Sequence, residues 1–262
     1  MNALPALMIG SLITFSCVIV LYFVGRKINH AGIIDVGWAY LIGFLAIFYA
    51  LVSYGFPARR FLLGVFGGLW GLRLGTYILL DRIIGKPEDP RYVQLKQQWK
   101  PFGAVKMFWF YIMQGVVVIW FSLPFLIGSQ NIYDTISLVE WLAVALWFLC
   151  FMCEWTADIQ LSYFKKHNLD KSKTCRIGLW RYSRHPNYFF EFMIWLSLGL
   201  FVSESPFGEI AWTCPAAILF FLLKVTGIPK SEEQAIKSRG EDYHRYQQET
   251  NRFIPWFPRK PK

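Results

Sequence analysis

Charged side chains are scarce in this sequence: Asp, Glu, Lys and Arg make up 17% of its 262 residues, whereas hydrophobic residues make up 55%. Aromatic residues alone account for 19%, and 12 of them are tryptophans. A soluble domain carries about 25% charged residues and has no use for so much apolar surface. The composition therefore excludes an ordinary soluble domain and indicates a chain that crosses a membrane.

Cysteine and histidine are also rare, with five and four residues. The one close pair of cysteines is Cys150 and Cys153, and no histidine or second cysteine pair accompanies it. Zinc sites need about four ligands at defined spacings, and secreted disulfide scaffolds need many more cysteines. We expect neither a structural disulfide nor a metal site.

Lys and Arg number 27 against 17 acidic residues, giving a net charge of +10. These cations flank apolar runs instead of forming one patch, which argues against nucleic-acid binding. Basic residues in that position act as membrane topology signals and suit an anionic ligand, such as a nucleotide or a lipid headgroup.

Seven apolar runs have lengths near the roughly 20 residues that a membrane-spanning helix needs. They cover Leu4–Phe23, Ile33–Tyr54, Phe61–Leu80, Met107–Ile127, Leu138–Tyr163, Asn187–Val202 and Ile210–Thr226. No basic leader or clear cleavage site marks the first run, so we interpret it as a retained span. The sequence predicts an all-α membrane bundle of about seven helices, with residues 1–262 forming a single membrane domain.

Basic residues concentrate in alternate loops. The loops after spans three and five and the C-terminal tail are rich in Lys and Arg, whereas the loops between spans four and five and between spans six and seven have none. Only Arg59 and Arg60 depart from this alternation. Since basic loops stay in the cytoplasm, we predict the N-terminus outside, the C-terminus inside and an integral multi-pass protein, in the inner membrane if it is bacterial.

Ionisable and amide side chains within the predicted spans cluster in their cytoplasmic halves. Such residues are costly in a bilayer and mark functional sites. On span five, Glu154, Asp158 and Ser162 share one helix face, and Asn187 and Glu191 repeat the same spacing on span six. Asp35 and Arg73 lie in spans two and three. For a single residue a structural ion pair, such as one between Arg73 and Asp35, is the alternative, but the one-sided clustering favours a site.

The densest polar stretch covers residues 178–191. Arg181, Arg184 and His185 have the chemistry to bind phosphates. Asn187 and Glu191 suit a carboxamide or ribose hydroxyls, and Tyr182 and Tyr188 offer stacking surfaces. A juxtamembrane belt of aromatic and basic residues is the alternative interpretation.

Gly178-Leu179-Trp180 followed by Arg184-His185-Pro186-Asn187-Tyr188 and Glu191 resembles the C-terminal domain of the steroid 5α-reductase family, in particular its bacterial membrane branch. The resemblance extends from Asp35 to Pro255. It includes Asp35-Val36-Gly37-Trp38, Trp70-Gly71-Leu72-Arg73-Leu74, Glu154-Trp155-Thr156-Ala157-Asp158, Glu232, Arg239, Tyr243, Tyr246 and Phe253-Ile254-Pro255-Trp256. Isoprenylcysteine carboxyl methyltransferases share the Arg-His-Pro element.

The resemblance implies a seven-helix bundle in which residues 1–130 form a lipophilic substrate pocket and residues 131–262 hold NADPH. It implies cofactor contacts at Arg73, Asp158, Lys165, Asn187 and Glu191, and phosphate contacts at Arg82 and in the stretch Arg181–His185. Tyr182, Tyr188 and Arg239 belong to the same implied site. Tyr243 and Tyr246 match the tail segment that folds over the nucleotide.

The implied reaction is NADPH-dependent reduction of an enone carbon–carbon double bond, as in a 3-oxo-5α-steroid 4-dehydrogenase. Steroid-reducing members carry a Gln-Glu pair in the second helix and a Tyr before the third-helix Arg, whereas this chain has Ile34-Asp35 and Trp70. We therefore name Asp35, Tyr77 and Arg73 as catalytic candidates. We expect the protein to bind a lipophilic substrate and membrane lipid, not to bind nucleic acid, and to be a monomer.

Two alternatives remain open from the sequence. One is an S-adenosylmethionine-dependent membrane methyltransferase, whose cofactor lacks phosphates and would leave the basic inner loops without a purpose. The other is a lipid- or sterol-binding protein without catalysis, which the missing acid pair favours.

Overall fold

The computed structural model describes residues 1–170, 172–225 and 227–259. Within these ranges the regular structure is helical, and no strand occurs. The ten α-helices are α1 Ala3–Lys27, α2 Ile33–Val52, α3 Pro57–Ile78, α4 Pro90–Gln98, α5 Gly103–Ser129, α6 Leu138–His167, α7 Pro186–Val202, α8 Thr213–Phe220, α9 Ile228–Arg239 and α10 Glu241–Glu249. Lys171, and Thr226 at the end of the seventh predicted span, lie outside the described residues.

Six helical stretches are long and apolar enough to cross a membrane by length and composition: Ala3–Lys27, Ile33–Val52, Pro57–Ile83, Gly103–Ser129, Leu138–His167 and Gly208–Arg239. The remaining predicted span is α7, an apolar helix of 17 residues. At a rise of about 1.5 Å per residue it reaches the lower limit for crossing the hydrocarbon core. The all-α membrane fold is confirmed and the chain is an integral multi-pass membrane protein, while its orientation stays a prediction.

The chain divides into two compact units. Unit 1 comprises residues 1–137 and 202–210, and unit 2 comprises residues 138–201 and 211–262. The predicted assignment of substrate to residues 1–130 and of cofactor to residues 131–262 stays a prediction.

In unit 1, helices α2 and α3 cross at glycines. A β-carbon added to Gly71 would lie 2.6 Å from the carbonyl oxygen of Ala39 and 2.8 Å from the Cα of Gly43. Only a residue without a side chain permits this approach of two backbones, as is common where membrane helices associate. The close crossing positions Asp35 at the start of α2 and Arg73 near the end of α3.

The two arginines that interrupt the predicted charge alternation bind backbone carbonyl groups in unit 1. Arg59, which is buried, donates to the carbonyls of Asn131, Tyr133 and Thr135 at 3.3, 2.7 and 2.7 Å. Arg60 donates to carbonyls at the C-terminus of α2. Because helix C-termini leave carbonyls without an intrahelical partner, a cation stabilises them. The two residues thus have a structural reason to lie there that is separate from topology.

Candidate functional site

Unit 2 places acidic and amide side chains on neighbouring apolar helices. Glu154 and Asp158 on α6, and Glu191 on α7, are all buried. The Asn187 side-chain amide donates to Asp158 Oδ1 at 3.2 Å, and its own carbonyl accepts the Tyr188 backbone N–H at 3.0 Å. The structure therefore brings together two residues that the sequence assigns to one site although 29 positions separate them.

Glu191 lies one helical turn after Asn187, on the same side of α7. Its Oε1 accepts the indole N–H of Trp195 at 2.8 Å, and Trp195 is itself buried. This bond, within one turn of α7, fixes the orientation of a carboxylate that the surrounding apolar helix would otherwise disfavour. The result is a polar set of carboxylates and one carboxamide inside the apolar part of unit 2.

The segment 178–185 enters α7 through a tight turn. Gly178 has φ of +54°, and a β-carbon there would lie 2.1 Å from Gln160 Nε2, so both its backbone conformation and its contact require glycine. Gln160 Oε1 accepts the Leu179 backbone N–H at 2.9 Å, and the Trp180 indole donates to the Ala157 carbonyl at 2.9 Å. The Gln160 side chain and the Ala157 carbonyl of α6 therefore hold the predicted phosphate-binding stretch in place.

Arg184 makes its hydrogen bonds within the protein. Its Nε donates to Glu232 Oε1 at 2.7 Å, and its Nη1 donates to the carbonyls of Gln247 and Thr250 at 2.9 Å each. His185 is buried, lies 3.4 Å from the same Glu232 oxygen and stacks on Tyr188 with parallel rings 5.4 Å apart. Glu232, which belongs to the resemblance but not to the predicted site, is the common acceptor. The Arg-His element therefore ties α9 and the tail to the segment 178–185.

The tail tyrosines complete this contact. Tyr246 donates to the carbonyls of Trp180 and Ser183, and Tyr243 donates to Glu232 Oε1 at 3.3 Å. A backbone hydrogen bond extends the contact between the tail and segment 178–185: the Trp256 N–H donates to the Tyr182 carbonyl at 2.9 Å. The tail thus folds over segment 178–185, and its predicted contact with a nucleotide stays a prediction.

Burial sets the protonation of these groups. It raises the pKa of both Tyr243 and Tyr246 well above the ordinary tyrosine value. Burial also lowers the pKa of His185, and the hydrogen bond and charge of Glu232 offset this only in part. For Asp242 burial acts upward, but hydrogen bonds from Thr174 and the charge of Arg176 outweigh it and lower its pKa. At neutral pH this region therefore holds neutral tyrosines, a neutral His185 and an ionised Asp242.

The other residues predicted for the cofactor in unit 2 lie toward solvent. Lys165 and Arg181 are exposed, and Tyr182 and Arg239 are partly exposed. The Tyr182 ring packs edge-on against Phe257 at 6.1 Å. Lys165 lies at the end of α6 and Arg181 beside the turn before α7. Exposed cations such as these suit a highly charged ligand better than buried cations do, because the ligand then loses less hydration on binding.

Unit 1 contains the catalytic candidates. Asp35 Oδ1 accepts the Tyr92 hydroxyl at 2.7 Å, and Arg91 Nη2 lies 3.4 Å from Oδ2. Arg73 is buried, Tyr77 is half-buried and Arg82 is exposed. The phenol in contact with Asp35 is thus Tyr92 on α4, which the sequence did not single out. Burial raises the pKa of Tyr92 strongly, and the nearby Asp35 charge adds to the effect.

Comparisons with known proteins place the chain in a family. A protein of Schizosaccharomyces pombe (strain 972 / ATCC 24843), described as uncharacterized, is 26% identical over an alignment that covers 94% of this chain and 79% of the yeast protein. No solved structure matches the chain. A family profile described as "Protein of unknown function (DUF1295)" matches residues 21–250, a range that includes every predicted site residue. Since this match covers most of the sequence, the chain belongs to the DUF1295 family.

Proposed function

We propose that the protein is a membrane-embedded, NADPH-dependent reductase of an activated carbon–carbon double bond in a lipophilic, steroid-like substrate. The observation that carries the proposal is the polar set of Glu154, Asp158, Asn187 and Glu191 in helices α6 and α7, in which all three carboxylates are buried and Asn187 donates to Asp158. Ionisable groups within apolar helices are disfavoured by several kcal/mol or more unless they serve a partner or ligand, so they mark a binding site.

The chemistry of this polar set fits a dinucleotide. Asn187 offers both a donor and an acceptor for a carboxamide, and the carboxylates of Asp158 and Glu191 accept hydrogen bonds from ribose hydroxyls. Lys165 and Arg181, both exposed, suit the phosphates. In the proposal these residues hold the nucleotide. When bound, NADPH supplies a hydride to the double bond.

Arg184 and His185 have a different role in the proposal. Their hydrogen bonds to Glu232, Gln247 and Thr250 fix the tail on the segment 178–185, so we assign them as positioning residues and not as phosphate ligands. This assignment removes Arg184 and His185 from the residues that the sequence alone assigns to the phosphates.

Reduction of an enone also needs a hydrogen-bond donor for the negative charge that develops on the carbonyl oxygen. In unit 1 we assign this task to the Tyr92 hydroxyl, which donates to Asp35 Oδ1 at 2.7 Å in this structure and would turn its proton from Asp35 to the substrate oxygen. Arg91 holds the other carboxylate oxygen and limits the orientations of Asp35. Tyr92 thus replaces Tyr77 as the preferred proton donor. The pair of Tyr92 and Asp35 takes the role that the Gln-Glu pair has in steroid-reducing members.

Equilibrium binding of NADPH and of S-adenosylmethionine to detergent-purified protein tests the proposal. We expect NADPH to bind, and Asn187→Ala and Asp158→Asn each to lower its affinity about 10- to 100-fold, the loss of one hydrogen bond to a charged or buried group. Binding of S-adenosylmethionine alone, or unchanged NADPH affinity in both variants, would overturn the proposal.

Lys165 and Lys166 provide a matched comparison for the phosphates. Both are exposed in the last turn of α6, but only Lys165 matches a family cofactor position. Lys165→Gln should weaken NADPH binding, and Lys166→Gln should not. A panel of enones, followed by loss of nicotinamide absorbance, then tests turnover. Tight NADPH binding with no substrate reduced across the panel would reject the reductase in favour of a binding protein.

A further inference from the structure

Unit 1 contains a concave site, which we call the basic pocket. It has a volume of about 340 Å³, within the usual range of ligand-binding cavities. It lies between the last turn of α1 and the first turn of α5, where both helices reach the same end of the unit. Its position at helix ends corresponds to the level of lipid headgroups for membrane-spanning helices.

Three cations line the basic pocket: Arg26, Lys96 and Lys100. Among the described residues that line it, none is acidic. Glu88, which does not line the pocket, binds Lys96 Nζ with both carboxylate oxygens, at 2.7 and 2.8 Å, and so compensates its charge. Arg26 and Lys100 have no carboxylate within ion-pair distance in the part of the chain that the structure describes. The pocket therefore carries two uncompensated positive charges.

Apart from Asn29, the remaining lining is aromatic and apolar, with Tyr22, Met107 and Tyr111 as its largest members. Both tyrosines use their hydroxyl protons inside the protein. Tyr22 donates to the Ala104 carbonyl at 3.0 Å and Tyr111 to the Ala31 carbonyl at 2.6 Å. Their rings thus contribute apolar surface next to the cations, and the Arg26 guanidinium lies 5.8 Å from the Tyr22 ring centre.

We propose that the basic pocket binds an anionic phospholipid, with the phosphate at Arg26 and Lys100 and the start of an acyl chain against Tyr22, Met107 and Tyr111. A phosphate ester matches two unpaired cations, and an attached chain matches the apolar lining beside them. The pocket shares no residue with the proposed nucleotide site, so the inference does not rest on the proposed reductase.

Native mass spectrometry of the full-length protein in an uncharged detergent provides the test, with phosphatidylglycerol, phosphatidylcholine and glycerol 3-phosphate as separate probes. We expect phosphatidylglycerol to bind more tightly than either of the others. The double variant Arg26→Gln/Lys100→Gln should lower its affinity about 30-fold, because each basic residue near anionic lipid contributes about fivefold. A matched control is Lys27→Gln/Lys106→Gln, which removes two exposed cations next to the pocket but outside its lining, and should change the affinity less than about threefold.

Ala104→Phe separates shape from charge, since it fills the pocket from an exposed lining position and keeps all three cations. It should also abolish phosphatidylglycerol binding. Equal losses of phosphatidylglycerol affinity in Arg26→Gln/Lys100→Gln and in Lys27→Gln/Lys106→Gln would mean that general surface charge attracts the lipid, and would overturn the proposal. Glycerol 3-phosphate binding as tightly as the lipid would overturn the assignment to a lipid in favour of a soluble phosphate ester. Displacement of the lipid by NADPH would assign the pocket to the nucleotide instead.

Discussion

Replacement of Glu232 by Gln should detach the tail of unit 2 from segment 178–185. Glu232 Oε1 accepts hydrogen bonds from Arg184 at 2.7 Å and Tyr243 at 3.3 Å, and lies 3.4 Å from His185. Loss of one partner of a buried ion pair costs about 3–5 kcal/mol. The Glu232 side chain is 13% exposed, and Arg184 keeps two carbonyl acceptors, so we expect about 2–3 kcal/mol of local destabilisation.

Amide hydrogen exchange measures this effect where it should occur. The Arg184 N–H donates to the Asn251 carbonyl at 2.8 Å and the Trp256 N–H to the Tyr182 carbonyl at 2.9 Å, so both amides report on tail attachment. A loss of about 2–3 kcal/mol corresponds to exchange that is about 30- to 150-fold faster.

The neighbouring residue provides the control. The Glu233 side chain is 52% exposed and pairs with Lys237 at 2.7 Å on the same helix. Such a surface pair contributes about 0.5 kcal/mol or less, so Glu233→Gln should leave exchange in segment 178–185 almost unchanged. Unchanged exchange in Glu232→Gln, or equal acceleration in both variants, would refute the role assigned to Glu232.

Three further perturbations test other parts of the structure. Gly71→Ala should lower the thermal midpoint in detergent by the equivalent of about 1–3 kcal/mol, because its methyl group would overlap the backbone at Gly43. Attachment of the tail should weaken as pH falls below about 6.5. The pKa of His185 is lowered while the tail is attached, so the detached state takes up a proton at a higher pH and becomes favoured. Amide hydrogen exchange of segment 178–185, measured from pH 7.5 to 5.5, detects this weakening. On the proposed function, Tyr92→Phe should reduce turnover at least about 100-fold without changing NADPH affinity, because it removes the hydroxyl assigned to donate to the substrate oxygen.

Each of these has a matched control in the chain. Gly103→Ala should not destabilise, because the nearest atom to its new β-carbon is 3.6 Å away. His244→Gln, at an exposed histidine, should preserve the pH dependence that His185→Gln removes. Tyr77→Phe should retain turnover. Loss of turnover in Tyr77→Phe but not in Tyr92→Phe would return the donor role to Tyr77.

Hydropathy was sufficient for the spans but not for helix α4. Within the described residues all seven apolar runs are helical over most of their length, although α5 begins at Gly103 and α6 continues to His167, beyond the predicted limits. Helix α4, Pro90–Gln98, lies in a segment interpreted only as polar. Its signal was present, because Asp89 caps the helix by accepting the Arg91 N–H at 2.9 Å and Pro90 occupies the first helical position. A search for apolar runs does not detect a short polar helix, and Tyr92 was missed with it.

Sequence spacing predicted the part of the candidate site that depends on local geometry. Residues four apart share a helix face, which grouped Glu154 with Asp158 on α6 and Asn187 with Glu191 on α7, whereas only the resemblance assigned Asp158 and Asn187 to one site. Spacing gave no signal for the role of Glu232, because it contacts Arg184 across 48 residues and lies in a charged helix where carboxylates are common, and the resemblance included Glu232 without assigning it a role. The contact between Glu232 and Arg184, which Glu233 does not make, becomes visible only in the folded tail.

The Arg184-His185-Pro186 element by itself does not report which cofactor binds. Arg184 makes three hydrogen bonds from its guanidinium to the tail, and His185 contacts Glu232, so the element serves to assemble segment 178–185. Reductases and methyltransferases that share the element bind different cofactors, which is the expected result if it supports a common fold. Cofactor choice must then depend on side chains outside the element. On the proposed function Lys165 is the sharpest test, because it is assigned to a phosphate of NADPH and S-adenosylmethionine has no phosphate. Lys165→Gln should then weaken NADPH binding. A protein that binds S-adenosylmethionine but not NADPH, with an affinity that Lys165→Gln leaves unchanged, would instead be identified as a methyltransferase.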